Sequence, residues 1–167
     1  MTCEEKGKRM RRCCFTGHRP EKLHCSEAFI RSELMKQTIA AIEDGKRTFI
    51  SGMSRGVDIW AAEAVLSLRK ELPTLRLIAA VPYPSFEQRW SHEWQHRYYD
   101  VLAQSDLIKY ICPQFSLSSY QQRNIWMVDH SSLLIAVFNG SAGGTKNTLD
   151  YARSQNVRTV LISSNRR

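Results

Sequence analysis

Short, nearly continuous apolar runs alternate along the chain with longer stretches in which apolar residues recur every three or four positions. The apolar runs predict six strands, at residues 12–16, 47–51, 75–81, 105–111, 132–138 and 158–163. The periodic stretches predict five helices, at residues 26–43, 57–71, 86–104, 120–130 and 145–155. Strands that alternate with helices form a parallel sheet with helices on both faces. We therefore predict an α/β fold, with a doubly wound, mainly parallel sheet in a single domain.

The predicted third helix carries four aromatic residues spaced by four positions, Phe86, Trp90, Trp94 and Tyr98. That spacing places them on one helix face. We expect Trp94 and Tyr98 to pack in the core. The start of this helix follows a strand end at Tyr83, so Tyr83, Phe86 or Trp90 is suited to flanking a flat base by stacking. We expect Trp90 to lie nearer the pocket.

The composition and charge of the 167-residue chain are those of a globular protein with two basic ends. Hydrophobic residues make up 43% and the formal net charge is +8. Residues 1–12 hold five basic and two acidic side chains, and the chain ends on Arg166 and Arg167. We therefore predict a flexible basic tail at residues 1–11 and a folded domain at 12–167. Because residues 13–165 keep a net charge of only +3, nucleic acid is a less favoured partner.

No apolar run approaches the roughly 20 residues that a membrane span needs, and the charged start lacks the apolar core of a secretion signal. We predict a cytoplasmic protein without a membrane partner. Five cysteines occur without a Cys-x-x-Cys pair, which indicates neither a disulfide framework nor a metal site. We predict no metal and no cofactor.

Three predicted strands end in glycine-bearing segments, FTGHRP at 15–20, SGMSRG at 51–56 and FNGSAGGTKNT at 138–148. In parallel sheets, ligands bind at the carboxyl ends of the strands. Glycine lets backbone N–H groups approach a ligand closely, and a following helix supplies free N–H donors and a partial positive charge. These segments predict an anion site, typically one for phosphate, although tight turns also explain Gly52 and Gly56.

Several polar side chains accompany these glycines. Arg19 and Arg55 suit phosphate binding, and Asp58 is placed to accept from a sugar hydroxyl or to cap its own helix. Thr145 belongs to a phosphate cradle or caps a helix. The predicted ligand-binding residues are Gly17, His18, Arg19, Gly52, Arg55, Gly56, Asp58, Trp90, Arg123, Asn124, Asn139, Gly140, Gly143, Gly144 and Thr145. We assign no catalytic residue.

These motifs and their order resemble the SLOG superfamily, which joins the DprA/Smf DNA-processing proteins and the LOG-type nucleotide hydrolases. The most similar branch is that of the YpsA-like bacterial proteins. The resemblance rests on five segments and covers nearly all of residues 12–163: FTGHRP at 15–20, SGMSRGVDIWAAE at 51–63, PYPSFEQRW at 82–90, YQQRNIWMVDHS at 120–131 and AVFNGSAGGTKNTLDYA at 136–152. It implies a Rossmann-like fold that binds or senses a nucleotide-derived small molecule, such as an ADP-ribose-like ligand. It also implies a regulatory role in bacterial cell division or stress.

One departure from the LOG-type pattern concerns activity. Those hydrolases carry a Glu three residues after the Thr of a GGxGT-like loop, whereas this chain has Thr148 there and its nearest acid is Asp150. We therefore favour ligand binding without turnover. One alternative is a hydrolase of an N-glycosidic or phosphate bond that uses Asp58, Asp129 or Asp150 as acid or base. Another is single-stranded DNA binding, as in DprA-like proteins. Rossmann-like domains often dimerise through helix faces, so a homo-oligomer is a further expectation.

Overall fold

The computed structural model describes residues 1–165 and contains one sheet. Its strands are β1 (Arg12–Gly17), β2 (Thr48–Ser51), β3 (Arg76–Val81), β4 (Leu107–Tyr110), β5 (Leu133–Phe138) and β6 (Arg158–Ser163). They lie in the order β4-β3-β2-β1-β5-β6, and every neighbouring pair is parallel. The predicted α/β fold with a doubly wound parallel sheet is confirmed.

Six α-helices are present in the described residues: α1 (Cys3–Met10), α2 (Glu27–Glu43), α3 (Val57–Glu71), α4 (His92–Gln104), α5 (Ser119–Asp129) and α6 (Gly144–Ser154). A short 3₁₀ helix, Pro20–Lys22, follows β1. Ser26 caps α2 as predicted, since its hydroxyl accepts from the N–H of Phe29 at 3.1 Å. None of the helices described has the length and apolar character needed to cross a membrane.

The sheet separates two hydrophobic cores because successive side chains of a strand point to opposite faces. Cys13 and Phe15 face the core that α2, α3 and α4 cover, whereas Cys14 faces the core under α5 and α6. Burial raises the pKa of the Cys14 thiol to about 12. Both thiols therefore act as small apolar groups in the sheet.

The chain reverses its direction across the sheet between β1 and β5. Strands β1 to β4 are added successively toward one edge, and β5 then returns to pair with β1 on its other side. Gly17 at the end of β1 lies beside Val137 near the end of β5. The segments that follow these two strands lead to helices on opposite faces, α2 and α6. A crevice opens at such a switch point, and it is the usual ligand site of doubly wound sheets.

Residues 1–11, predicted as a flexible tail, contain helix α1. A capping box starts it: the hydroxyl of Thr2 accepts from the N–H of Glu5 at 3.2 Å, and the Glu5 carboxylate accepts from the N–H of Thr2 at 3.0 Å. No residue of α1 is buried, although Arg9 donates to the carbonyl of Ser131 at 3.0 Å. The sequence analysis missed this helix because it lacks an apolar face. Its flexibility stays a prediction.

The predicted helix 86–104 starts later, at His92. Ser91 caps it by accepting from the N–H of Trp94, and Ser85 has a positive φ of 66°. Phe86 and Trp90 therefore lie in the preceding turn rather than on a helix face. Their rings still meet, with centroids 4.8 Å apart. The four-residue spacing was misleading because Pro82 and Pro84 hold this segment in turns.

Candidate functional site

A cavity of about 350 Å³ lies at the switch point between β1 and β5. We call it the glycine-loop cavity. Nine residues predicted from the sequence line it: Gly17, His18, Arg19, Asp58, Arg123, Asn124, Gly143, Gly144 and Thr145. The sequence analysis missed Thr16, Glu21, Lys22, Ser54, Tyr120 and Ala142. Lys22 follows Arg19 by only three residues, and the two are joined by a short 3₁₀ helix. This short separation in sequence from a predicted site residue could have indicated Lys22.

Three glycines of this region allow the backbone to pass close to other groups. A Cβ on Gly17 would lie 2.6 Å from the Cβ of Val57, the first residue of α3. A Cβ on Gly52 would lie 2.8 Å from the Oδ2 atom of Asp58. Gly56 has a φ of 87°, and its Cβ would meet the Cδ atom of Pro20 at 2.8 Å. Gly52 and Gly56 lie outside the cavity lining, where they serve packing and turn geometry.

His18 is buried at the end of β1, with 6% of its surface exposed. Its ring stacks on Phe138, with centroids 5.7 Å apart. Burial is the main cause that lowers the pKa of His18, and the positive charge of Lys22 adds to it. The Nε2 atom has no hydrogen-bond partner among residues 1–165. A neutral imidazole with one unsatisfied nitrogen therefore borders the cavity.

Asp58 and Arg123 are buried charges of opposite sign in the same wall, 5% and 6% exposed. Arg123 donates to the carbonyl of Gly52, to the hydroxyl of Ser54 at 3.2 Å and to the Asn124 side-chain oxygen at 2.9 Å. The Asp58 Oδ2 atom accepts from the N–H of Ser54 at 3.2 Å, but Oδ1 has no partner within residues 1–165. Burial raises the pKa of Asp58, and the charge of Arg123 opposes that rise. Burial lowers the pKa of Arg123.

The loop after β5 presents the start of α6 to the cavity. Asn139 holds this loop: its amide nitrogen donates to the carbonyl of Lys22 at 3.0 Å, and its oxygen accepts from the N–H of Ser141 at 2.8 Å. Gly140 and Gly143 have φ values of 89° and 139°. Neither Asn139 nor Gly140 lines the cavity. Both instead shape the loop that does.

Gly143 is the N-cap of α6 and makes no side-chain cap bond. Thr145 is therefore a buried cavity residue inside the first turn rather than the cap. The first N–H groups of a helix have no partner within it, so the start of α6 brings donors and a partial positive charge to the cavity. Thr148, at the position of the LOG-type Glu, donates to the carbonyl of Gly144 at 2.8 Å.

A second cavity of about 690 Å³ adjoins the first, and we call it the aromatic cavity. Its lining includes two predicted residues that the glycine-loop cavity lacks, Arg55 and Trp90. Arg55 donates to the carboxylate of Glu21 at 3.1 Å. Arg19 and Tyr120 line both cavities. The predicted site residues are thus divided between two neighbouring cavities, except Gly52, Gly56, Asn139 and Gly140, which line neither.

The three candidate carboxylates of the hydrolase alternative lie in different places. Asp58 lines the glycine-loop cavity. Asp129 accepts from the hydroxyl of Tyr151 at 2.6 Å, and Asp150 pairs with Lys146 at 2.6 Å. Neither Asp129 nor Asp150 lines that cavity. Only Asp58, of these three, is placed to contact a ligand there.

Comparison with known families finds a match over most of the chain. The YpsA family model, described as "YspA SLOG family", matches residues 13–163. The chain belongs to this family. The resemblance to SLOG proteins of the YpsA-like branch is confirmed, and the match includes every residue that lines the glycine-loop cavity.

Similar proteins occur in Bacillus. A UPF0398 protein of Bacillus pumilus (strain SAFR-032) is 29% identical over 138 residues, which cover 78% of this chain and 74% of that protein. The SPβ prophage-derived protein YoqJ of Bacillus subtilis (strain 168) is 33% identical over 138 residues, covering 72% of this chain and 81% of YoqJ.

Solved structures share the fold. DNA processing protein A from Helicobacter pylori, described for its single-stranded DNA binding mode, has a TM-score of 0.65 and 16% identity, covering 96% of this chain and 68% of that one. TM1055, a structural genomics target, has a TM-score of 0.57 and 10% identity, covering 90% and 72%. These likenesses place the chain among Rossmann-like α/β proteins.

Proposed function

We propose that this protein binds a nucleotide or a nucleotide-derived small molecule, such as an ADP-ribose-like ligand, with a phosphate in the glycine-loop cavity. One observation carries the proposal: unpaired cationic side chains and the start of α6 converge on one cavity at the switch point of the sheet. Such a combination of positive charge and free N–H donors is suited to phosphate.

Two cations in the cavity lining form no ion pair with a carboxylate of residues 1–165. The side chains of Arg19 and Lys22 form neither an ion pair nor a hydrogen bond with any residue in 1–165. Glu21, between them in sequence, pairs instead with Arg55. The two charges are therefore available to an anionic ligand, and Asp58 Oδ1 is available to accept from a sugar hydroxyl.

The proposed activity is binding without turnover. The position that carries a Glu in LOG-type hydrolases holds Thr148, whose hydroxyl is already bonded inside α6. A general acid or base must lie within hydrogen-bond reach of the reacting atom. Of the three carboxylates considered, only Asp58 lines the cavity, and we assign its free oxygen to a sugar hydroxyl rather than to catalysis. Incubation of AMP and ADP-ribose with the protein, with and without Mg²⁺, should therefore leave both intact by chromatography. Release of a free base or of phosphate would establish the hydrolase alternative.

Isothermal titration against AMP, ADP-ribose and NAD tests the binding itself. Lys22→Ala should weaken binding of the tightest of these ligands about tenfold or more, because it removes a hydrogen bond to a charged group. Lys36→Ala is the matched control, since Lys36 is an exposed lysine on α2 that contacts Glu33. A folded protein that binds none of the three at millimolar concentration would overturn the proposal.

Single-stranded DNA is the alternative ligand, because the Helicobacter pylori neighbour is described as binding it. At 16% identity that likeness concerns the fold alone, and residues 13–165 carry a net charge of only +3. Fluorescence polarisation with a labelled oligonucleotide across a salt series separates the two ligands. Oligonucleotide binding tighter than that of every mononucleotide, with a steep salt dependence, would favour DNA.

A role in cell division or stress, and a cytoplasmic location, follow from the resemblance and the composition as further proposals. Growth and division of a deletion strain test the former.

A further inference from the structure

The aromatic cavity is lined by a set of side chains that the phosphate site does not use. Tyr83, Phe86, Trp90 and Phe115 supply rings, and Arg55 and Arg89 supply positive charge. Arg55 is paired with Glu21, whereas Arg89 forms no side-chain hydrogen bond or ion pair within residues 1–165. An apolar ligand would leave the guanidinium group of Arg89 without a counterion. A ligand that is both aromatic and anionic can stack on the rings and also pair with the positive charge.

Ring contacts hold the aromatic walls in place. Tyr83 packs edge-on against Phe86 at 5.9 Å, Phe115 at 5.4 Å and Tyr120 at 6.0 Å between centroids. Its hydroxyl lies 3.2 Å from that of Tyr120. Phe115 remains 57% exposed and Trp90 is half-buried. Rings that are fixed at their edges and still exposed are suited to stacking on a flat base.

Arg19 and Tyr120 connect the two cavities. Both residues line the glycine-loop cavity and the aromatic cavity. The Arg19 guanidinium carbon lies 5.8 Å from the centre of the Tyr120 ring, and that of Arg123 lies 5.7 Å from the same centre. Arg19 therefore stands at the boundary, where a charged group that joins the two halves of a ligand would pass.

We propose that the aromatic cavity is the base site of a two-part ligand. The ligand's phosphate occupies the glycine-loop cavity, its aromatic base stacks in the aromatic cavity, and Arg19 contacts the linkage between them. This inference rests on the proposed function and specifies its ligand class: a nucleotide that keeps its base, rather than a sugar phosphate. The cavity volumes are compatible with this ligand class. Small-molecule pockets measure about 300–1,000 Å³, the glycine-loop cavity about 350 Å³ and the adjoining aromatic cavity about 690 Å³.

Calorimetry with ligands that differ in the base tests this assignment. Ribose 5-phosphate, AMP, ADP and ADP-ribose are titrated into the wild-type chain and into Phe115→Ala. We expect at least one base-carrying ligand to bind about tenfold more tightly than ribose 5-phosphate. Phe115→Ala should reduce the affinity for that ligand about fivefold or more and leave ribose 5-phosphate unaffected. Leu117→Ala is the matched control, because Leu117 lies in the same loop, is 97% exposed and lines neither cavity.

Arg89→Ala gives a second test at an exposed position, should Phe115→Ala fold poorly by circular dichroism. It should weaken the base-carrying ligand more than ribose 5-phosphate. Equal affinities of all four ligands for the wild-type chain, or an equal loss for all four in both variants, would overturn the base site while leaving phosphate binding intact. If none of the four binds at millimolar concentration, the proposed function itself fails.

Discussion

His18 and Asp58 each keep one buried polar atom, Nε2 and Oδ1, that has no hydrogen-bond partner within residues 1–165. Leaving such a group unsatisfied costs about 1–3 kcal/mol. Both residues line the glycine-loop cavity, so a bound ligand can supply the missing partners. At the residue scale, the site thus combines two cations, which favour an anionic ligand, with the unsatisfied Asp58 oxygen, which accepts hydrogen bonds and favours a ligand hydroxyl.

His18 should make stability depend on pH. Burial lowers its pKa below the ordinary value of 6.5, so the unfolded chain takes up a proton before the folded one. The stabilisation is complete above pH 6.5 and is lost as the pH falls through the folded pKa. We expect the free energy of unfolding, measured with urea, to decrease between pH 7.5 and pH 5.5, and His18→Gln to flatten that decrease.

His92→Gln is the control for this measurement, because His92 is exposed and forms no ion pair within residues 1–165. It should leave the pH profile as in the wild type. A His18→Gln profile as steep as that of the wild type would contradict the assignment to His18.

Gly17→Ala should destabilise the fold by about 1–3 kcal/mol. The new methyl group would lie 2.6 Å from the Cβ of Val57, an atom fixed to the backbone, so β1 and α3 would have to separate. Chemical denaturation measures the loss. Gly144→Ala is the matched control, since a Cβ there has no atom within 4 Å. Equal stability of the two variants would show that β1 and α3 tolerate the methyl group.

At the scale of elements, the way each helix begins decides whether its first N–H groups are bonded by a side chain. Helix α6 begins at Gly144 without a side-chain cap, directly beside the cavity. By contrast α1, α2 and α4 are capped by Thr2, Ser26 and Ser91, whose hydroxyls accept from N–H groups of their own helices. The starts of α3 and α5 also lack a side-chain cap bond, so it is the position of the α6 start beside the cavity that makes its N–H donors available to a ligand.

Helix α1 offers a test of local stability. Thr2→Ala should remove one half of the capping box and lower the free energy of opening α1 by about 1 kcal/mol. Hydrogen exchange of the α1 amides measures this, and the global free energy of unfolding should stay unchanged because no α1 residue is buried. Thr2→Ser keeps the hydroxyl and should exchange as the wild type does. Complete exchange of α1 in the wild type at the earliest time would support the flexible tail.

At the scale of the whole molecule, the site depends on strand order. Gly17 and the loop at 139–145 are far apart in sequence and meet because β5 pairs with β1. A ligand there contacts segments from both halves of the sheet and should stabilise the whole fold. A homo-oligomer stays a prediction, which light scattering of the purified protein tests.

Ligand binding should therefore raise the melting temperature. A ligand at 100 times its dissociation constant adds about 2.7 kcal/mol to the free energy of unfolding, which corresponds to roughly 5–10 °C for a chain of this size. Differential scanning fluorimetry with AMP or ADP-ribose measures the shift. Lys22→Ala should show a smaller shift at the same ligand concentration, whereas Lys36→Ala should not. Identical shifts in both variants would place the ligand elsewhere.

Much of this architecture could be predicted from residue patterns alone. The continuous apolar run at 132–138 indicates a strand that is buried on both faces of the sheet. The apolar residues at every third or fourth position in 57–71 indicate a helix that is buried on one face. Glycine at strand ends and the family motifs likewise indicated Arg19, His18 and the 143–145 loop as site residues. These are local properties of consecutive residues, so the chain displays them without its fold.

Only the tertiary structure decided how these residues are shared between sites. It separated Trp90 and Arg55 from the glycine-loop cavity, placed Asp129 and Asp150 outside it, and brought Tyr120 beside Arg19 between two cavities. Nothing local in the sequence encodes these outcomes. They follow from the order in which parallel strands pair and from side-chain packing between distant segments, and both depend on contacts that form only when the whole sheet assembles.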